Sequence, residues 1–249
     1  MDPRALLESL LQSGKELAEK GLESGKGLAE QTLESGKGLV EKGRDLAEDK
    51  LGLPEGEAGD KAMANLGKGA AVGGLLALLL GTERGRKIAA PAAKLGGLAA
   101  LGGLAYKVFK DHQAKSGATE EIGQPVSELS ADEGNVRSIS LIRAMIAAAK
   151  ADGYVDASEQ TRLAEEIEIL GLEAELATSL KDELAQPLDV AQVAALADSP
   201  AAAAEIYLAS RMVLDVDRQS ERSYLDQLAA ALKLDGSLVN QLEVEATAA

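Results

Sequence analysis

Asn135 to Ala151 reads NVRSISLIRAMIAAAKA. Val136, Ile139, Ile142 and Ile146 recur there at three- and four-residue spacing, which places them on one stripe of an α-helix. The same period continues to the end of the chain. Further helices are expected near Ala157–Leu170, Glu173–Leu184, Val190–Ala197, Pro200–Leu214, Gln219–Lys233 and Gly236–Glu245. Pro187 and Pro200 mark breaks, and Pro200 suits a first helical turn. No stretch alternates apolar and polar residues at period two, so no strands are expected and the fold class is all-α. Residues 132–249 are long enough for one compact helical bundle joined by short loops.

Two turns of this bundle resemble each other. One runs Ala149-Lys150-Ala151-Asp152-Gly153-Tyr154-Val155-Asp156-Ala157-Ser158-Glu159, the other Val213-Leu214-Asp215-Val216-Asp217-Arg218-Gln219-Ser220-Glu221. Each ends a long apolar helix, turns through two aspartates and enters the next helix at a glutamate. Clustered carboxylates supply the oxygen ligands that hard cations such as calcium or magnesium take. Should the turns meet, Asp152, Asp156, Glu159, Asp215, Asp217 and Glu221 form the candidate metal site. Neither turn has the spacing or length of an EF-hand loop. A local explanation competes: Asp156 and Glu159 have capping-box spacing, and Asp217 and Glu221 suit a helix N-terminus and its dipole.

N-terminal to the bundle, residues 112–131 are polar and broken by Gly and Pro, and read as a linker. His112, the one histidine of the chain, stands at its start and is given no role. Before it, residues 64–111 hold two uncharged glycine-rich runs, Gly69 to Thr82 (GAAVGGLLALLLGT) and Leu95 to Tyr106 (LGGLAALGGLAY), separated by the charged knot Glu83-Arg84-Gly85-Arg86-Lys87. A spanning helix needs about 20 mostly apolar residues, and neither run alone reaches that length. Small residues do, however, favour close helix packing in lipid. Lys68, Arg84, Arg86, Lys87, Lys94, Lys107 and Lys110 flank the runs, which suits an anionic leaflet. Residues 68–110 are therefore expected to associate with a membrane as a hairpin or re-entrant segment. The alternative is a buried helical hairpin inside a soluble oligomer.

Residues 54–63 form a short acidic linker, and residues 1–53 carry 11-residue repeats: LQSGKELAEKG from Leu11, LESGKGLAEQT from Leu22 and LESGKGLVEKG from Leu33. Eleven residues make almost three helical turns, so the leucines stay on one face of an amphipathic helix. That face suits a membrane surface or self-association.

The chain has a formal net charge of −15, of which residues 132–249 carry −13 and residues 64–111 carry +5. This balance argues against nucleic acid as a partner. Absence of cysteine excludes disulfides, thiolate zinc sites and cysteine nucleophiles. A glycine-rich phosphate loop is excluded because Gly67-Lys68-Gly69 lacks the GxxxxGK[ST] frame. The start MDPRALLESL lacks the basic and apolar regions of an export signal, so none is expected.

With these residues in view, ADGYVDASE and LDVDRQSERSYLDQLAAAL resemble the tellurite-resistance TerB-like helical domain. From about Met63 onward the chain resembles the YebE-like inner-membrane proteins, a family of unknown function. The resemblance implies an all-helical fold with an acidic cluster, matched here by Asp152, Gly153, Asp156 and Glu159 and by Asp215, Asp217 and Glu221. Some TerB-like domains are thought to bind metal there. The 11-residue repeats lie outside the resemblance. The combined expectation is a non-enzymatic accessory protein at the bacterial inner membrane, with its C-terminal domain in the cytoplasm. That domain would dock a protein partner under envelope or metal stress, gated by a divalent cation. The alternative is a soluble, homo-oligomeric helical scaffold whose acidic turns are only helix caps. A metal-dependent hydrolase is disfavoured, since no His or Lys arrangement accompanies the carboxylates.

Overall fold

The computed structural model describes residues 2–12, 97–117, 121–151, 157–170, 172–214 and 219–248. Every regular element among them is a helix, so the fold is all-α. Helix α1 covers residues 3–12. There follow α2 (Leu98–Ser116), α3 (Ala131–Ala149), α4 (Ala157–Ile169), α5 (Ala174–Ala185), α6 (Val190–Ala194), α7 (Pro200–Val213), α8 (Gln219–Ala231) and α9 (Gly236–Ala248).

Local chemistry sets these boundaries. Helix α3 begins at a capping box: the Ser130 side chain accepts from the Glu133 backbone N–H, and the Glu133 carboxylate accepts from that of Ser130. Ser199 caps α7 by accepting from Ala202 N, with Pro200 in the first turn as its fixed φ favours. Asp189 caps α6 through Ala191 N and Gln192 N. Helix α2 stops at Gly117, whose φ of 70° is left-handed and whose N–H returns to the Gln113 carbonyl.

Helix α7 is the centre of the bundle. Every residue from Ala201 to Ser210 is buried, and its alanines let neighbouring helices approach from several sides. Helix α3 packs most extensively against it, and α2 covers another side. Helix α9 lies against α2, α5 against α3, α4 against α5, and α6 against α8. Helix α1 adds Leu6, Leu7, Leu10 and Leu11 to the same core. Burying one leucine fully stabilises a fold by roughly 1.5–3 kcal/mol relative to leaving it exposed, so four are a substantial contribution from ten residues.

Three placements differ from the sequence expectations. Val136 leads the expected stripe of α3 but is 63% exposed, whereas Arg137 beside it is 3% exposed. The N-terminal half of α3 thus buries a guanidinium rather than a valine, because its partner on α7 is a carboxylate. The described parts of 112–131 belong to the bundle. Helix α2 continues through His112 to Ser116, and residues 121–130 cross the start of α7 as a strap. The strap is held by Ala201 N donating to the Ile122 carbonyl at 2.8 Å and by the burial of Val126. His112 lies against the start of α9, with Nδ1 3.2 Å from Ser237 Oγ and Nε2 4.0 Å from Asp235 Oδ1.

The second glycine-rich run supplies the N-terminal half of α2, which buries Leu98, Leu101, Gly102, Ala105, Val108 and Phe109 against the bundle. Among the described residues no helix is long and apolar enough to cross a membrane. The first run, the charged knot and the 11-residue repeats beyond Gln12 lie outside the described residues.

Candidate functional site

The direction of α3 relative to α7 decides whether the two acidic turns can be neighbours. Near its start α3 presents Arg137 to Asp198, Ser199 and Glu205. Near its end the Ala144 carbonyl accepts from Ser210 Oγ at 3.5 Å. Residue numbers rise together along both helices, so the pair is parallel. The C-terminal ends of α3 and α7, Ala149 and Val213, therefore leave the bundle at the same end. Helices α4 and α8, which follow the two turns, start from there.

Of the six candidate ligands, Asp152, Asp156, Asp215 and Asp217 lie outside the described residues, as does the side chain of Glu159. Glu221 is described. It sits in the first turn of α8 and is 4% exposed. A carboxylate so enclosed at a helix N-terminus benefits from the helix dipole. Among the described residues no group of three or more metal-ligating side chains occurs.

The described groups next to this end are cationic as well as acidic. Lys150 follows the last turn of α3 and donates Nζ to the Glu183 and Gln186 carbonyls, the free C-terminal carbonyls of α5. Its Nζ is 3.6 Å from the Glu183 carboxylate, which Arg143 also engages at 2.9 Å. Burial lowers the Lys150 pKa, against the opposing attraction of Glu183. A groove of about 540 Å³ opens beside this network, bordered by Arg143, Glu175, Thr178, Asp182, Glu183 and Gln186. Charged and polar side chains border it, with about as much apolar as polar surface exposed between them.

At the opposite end lies a cluster that the sequence reading did not identify. Glu205 is fully buried and accepts Arg137 Nη1 at 2.6 Å on one oxygen and Val126 N at 2.7 Å on the other. Arg137 Nη2 also reaches Asp198 at 2.5 Å and Ser199 Oγ at 3.2 Å. Burial pushes the Glu205 pKa up, and the Val126 N–H and Arg137 oppose that shift. The cluster ties α3, α7 and the strap together, with Arg137 and Glu205 buried and Asp198 exposed at its rim. Its signal in the sequence was a lone acid inside the apolar run PAAAAEIYLAS, since a buried charge requires a partner.

A protein from Yersinia enterocolitica, called an uncharacterized protein in the ampR 5' region, is 29% identical over 103 residues, covering 41% of this chain and 74% of its own length. No solved structure matches. Residues 65–246 match the family described as "Protein of unknown function (DUF533)", a span that takes in α2 to α8 and most of α9, and the chain belongs to that family.

Proposed function

We propose that this DUF533 protein is a membrane-associated, non-enzymatic accessory protein. In this reading its acidic helical bundle docks a protein partner, and a divalent cation held by Asp152, Asp156, Glu159, Asp215, Asp217 and Glu221 gates the docking. The observation that carries the reading is the parallel packing of α3 against α7. Two helices that end side by side favour a shared site for the acidic turns that follow them, and the resemblance to TerB-like domains points the same way. A cation there would offset carboxylate repulsion and tie two turns together, a local change with a wider readout. Because α2 is packed in the bundle, membrane attachment falls to residues 68–96, where Lys68, Arg84, Arg86, Lys87 and Lys94 suit anionic lipid. The setting is the bacterial inner membrane, with the bundle on the cytoplasmic side, as the YebE-like resemblance implies.

Calcium and magnesium titration of the full chain, followed by calorimetry and thermal melting, tests the cation. A melting temperature that rises with millimolar cation, and no longer rises in Asp152→Asn and Asp215→Asn variants, supports the site. No response returns these carboxylates to helix capping. Flotation with phosphatidylglycerol vesicles tests the attachment.

A second reading is a soluble scaffold that self-associates through the glycine-rich segment. The packing of α2 inside the bundle favours it, since the second glycine-rich run has a protein environment from Leu98 onward. A chain that stays with the soluble fraction in the presence of vesicles supports this reading over the first.

A further inference from the structure

Helix α1 is bound to the rest of the bundle as a peptide ligand is bound to a receptor. Residues 13–97 separate it from α2, so sequence proximity does not hold it in place. Three kinds of contact do. Leu6, Leu7, Leu10 and Leu11 are buried in the shared core. The Glu8 carboxylate accepts the Leu98 N–H at 2.9 Å and so caps α2, whose own N-cap residue, Gly97, has no side chain to offer. Arg4 donates to the Ser127 carbonyl at 3.0 Å and lies over Gly134, while its backbone N–H meets Asn135 Oδ1 at 3.4 Å.

The seat is shaped for this occupant. A Cβ on Gly97 would stand 2.5 Å from Glu8 Oε1, and φ there is 97°, so glycine both admits the carboxylate and makes the turn. A Cβ on Gly134 would stand 3.1 Å from Arg4 Nη1. The charges are complementary: a carboxylate meets the positive end of α2, and a guanidinium meets a carbonyl of the strap. The motif is Arg4-x-Leu6-Leu7-Glu8-x-Leu10-Leu11, with an acid and a base fixing the register of four leucines.

We infer that this seat is an exchangeable receptor for residues 3–12, and that it takes this helix from a second copy of the chain as well as from its own. In cis the helix is present only at the effective concentration that its covalent connection sets. Copies crowded together compete at that level, and exchange of an identical element is a low-cost route to an oligomer. The contacts in trans are the same as those in cis, so no new surface is required. The assembly is self-limiting where two copies exchange reciprocally and extends where they exchange head to tail.

Because the chain has no cysteine, trapping the contact is direct. Full-length chains carrying Glu8→Cys and Gly97→Cys singly, with tags of different size, are mixed and treated with a short bismaleimide. Arg4→Cys and Gly134→Cys form an independent second pair should the first disturb folding, with circular dichroism confirming helicity. The expected result is a heterodimer linked between positions 8 and 97, identified by mass spectrometry, whose yield rises with total chain concentration. In the Glu8→Cys/Gly97→Cys double variant, intramolecular links should then give way to intermolecular ones as concentration rises. Quantitative intramolecular closure at every concentration, with no heterodimer from either single-variant pair, overturns the inference and leaves α1 a fixed helix of its own chain. Absence of any link in both pairs overturns the seat itself.

Discussion

Arg137 and Glu205 face each other across the α3–α7 interface at 2.6 Å, 3% and 0% exposed, and each is the other's main compensation for burial. Removing one partner of such a pair leaves an uncompensated charge, which typically costs 3–5 kcal/mol. Arg137→Met should therefore lower the stability of the full chain by about that much in urea titration. Glu205→Gln should also destabilise, because with its amide oxygen accepting from Val126 N the amide nitrogen would face Arg137 Nη1, donor against donor, leaving Asp198 and Ser199 alone on the guanidinium. Either variant proving as stable as the unchanged chain would mean that the pair does not hold α3 to α7.

Gly102 and Gly103 are adjacent in the second glycine-rich run yet should respond oppositely to alanine. A Cβ on Gly102 would lie 3.1 Å from Glu205 Oε1 and 3.1 Å from Val126 Cγ1, atoms already fixed by the buried cluster. Overpacking of this kind typically costs about 1–3 kcal/mol, more than the helix propensity alanine returns. Gly103 is exposed with nothing within 4 Å of its Cβ position. Alanine there should stabilise α2 by roughly 0.5–1 kcal/mol. Thermal melts of the two variants shifting in the same direction would contradict the packing of α2.

Tyr224 buries its hydroxyl with no well-formed hydrogen bond, since Ser210 Oγ beside it is directed to the Ala144 carbonyl, and burial pushes its pKa up to about 12 against the opposing pull of Ser210. The unfolded tyrosine ionises near pH 10. The folded state therefore holds the proton longer, and stability from this group is full below about pH 10 and is lost as pH rises through about 12. Tyr224→Phe should remove that alkaline loss. At neutral pH it should be neutral or stabilising by about 1 kcal/mol, since it deletes an unpaired polar atom. Guanidinium melts at pH 7 and pH 11 check both parts.

Lys150 titrates with the opposite sign. Burial lowers its folded pKa below the ordinary lysine value, so between the lowered value and about 10.5 the unfolded chain binds more protons. Stability from this group rises with pH across that window. Lys150→Met should flatten the slope there while losing the hydrogen bonds to the α5 carbonyls. Melting curves across pH 8 to 10 for both chains measure it.

Helix positions were readable from the chain because they rest on local chemistry. Pro200, and the apolar period of 157–245, fixed α4 to α9 within a few residues. What was not readable is what only tertiary contact decides. Val136 and Arg137 differ by one position on α3, and periodicity favours the valine for the core. The carboxylate of Glu205, distant in sequence, reverses that choice. The strap looked like a linker because Gly123 and Pro125 break helices, yet Gly123 lets it pass close to Ser199 at the start of α7 and Pro125 packs beside Gly102 of α2. The parallel course of α3 and α7 has no signature in either helix, and it alone relates the two acidic turns to one end of the bundle. The roles of Arg4 and Glu8 were hidden for a similar reason, since their partners lie beyond residue 97.

The pairing of α2 with α7 and α9 also fixes an order of events during synthesis. Helix α2 leaves the ribosome long before either partner, so its apolar face must wait while about a hundred further residues are made, at roughly 5–20 residues per second. For those seconds the nascent chain displays Leu98, Leu101, Val108 and Phe109 uncovered, close behind the other glycine-rich run. The rate of translation therefore sets how long that face waits for the helices that cover it.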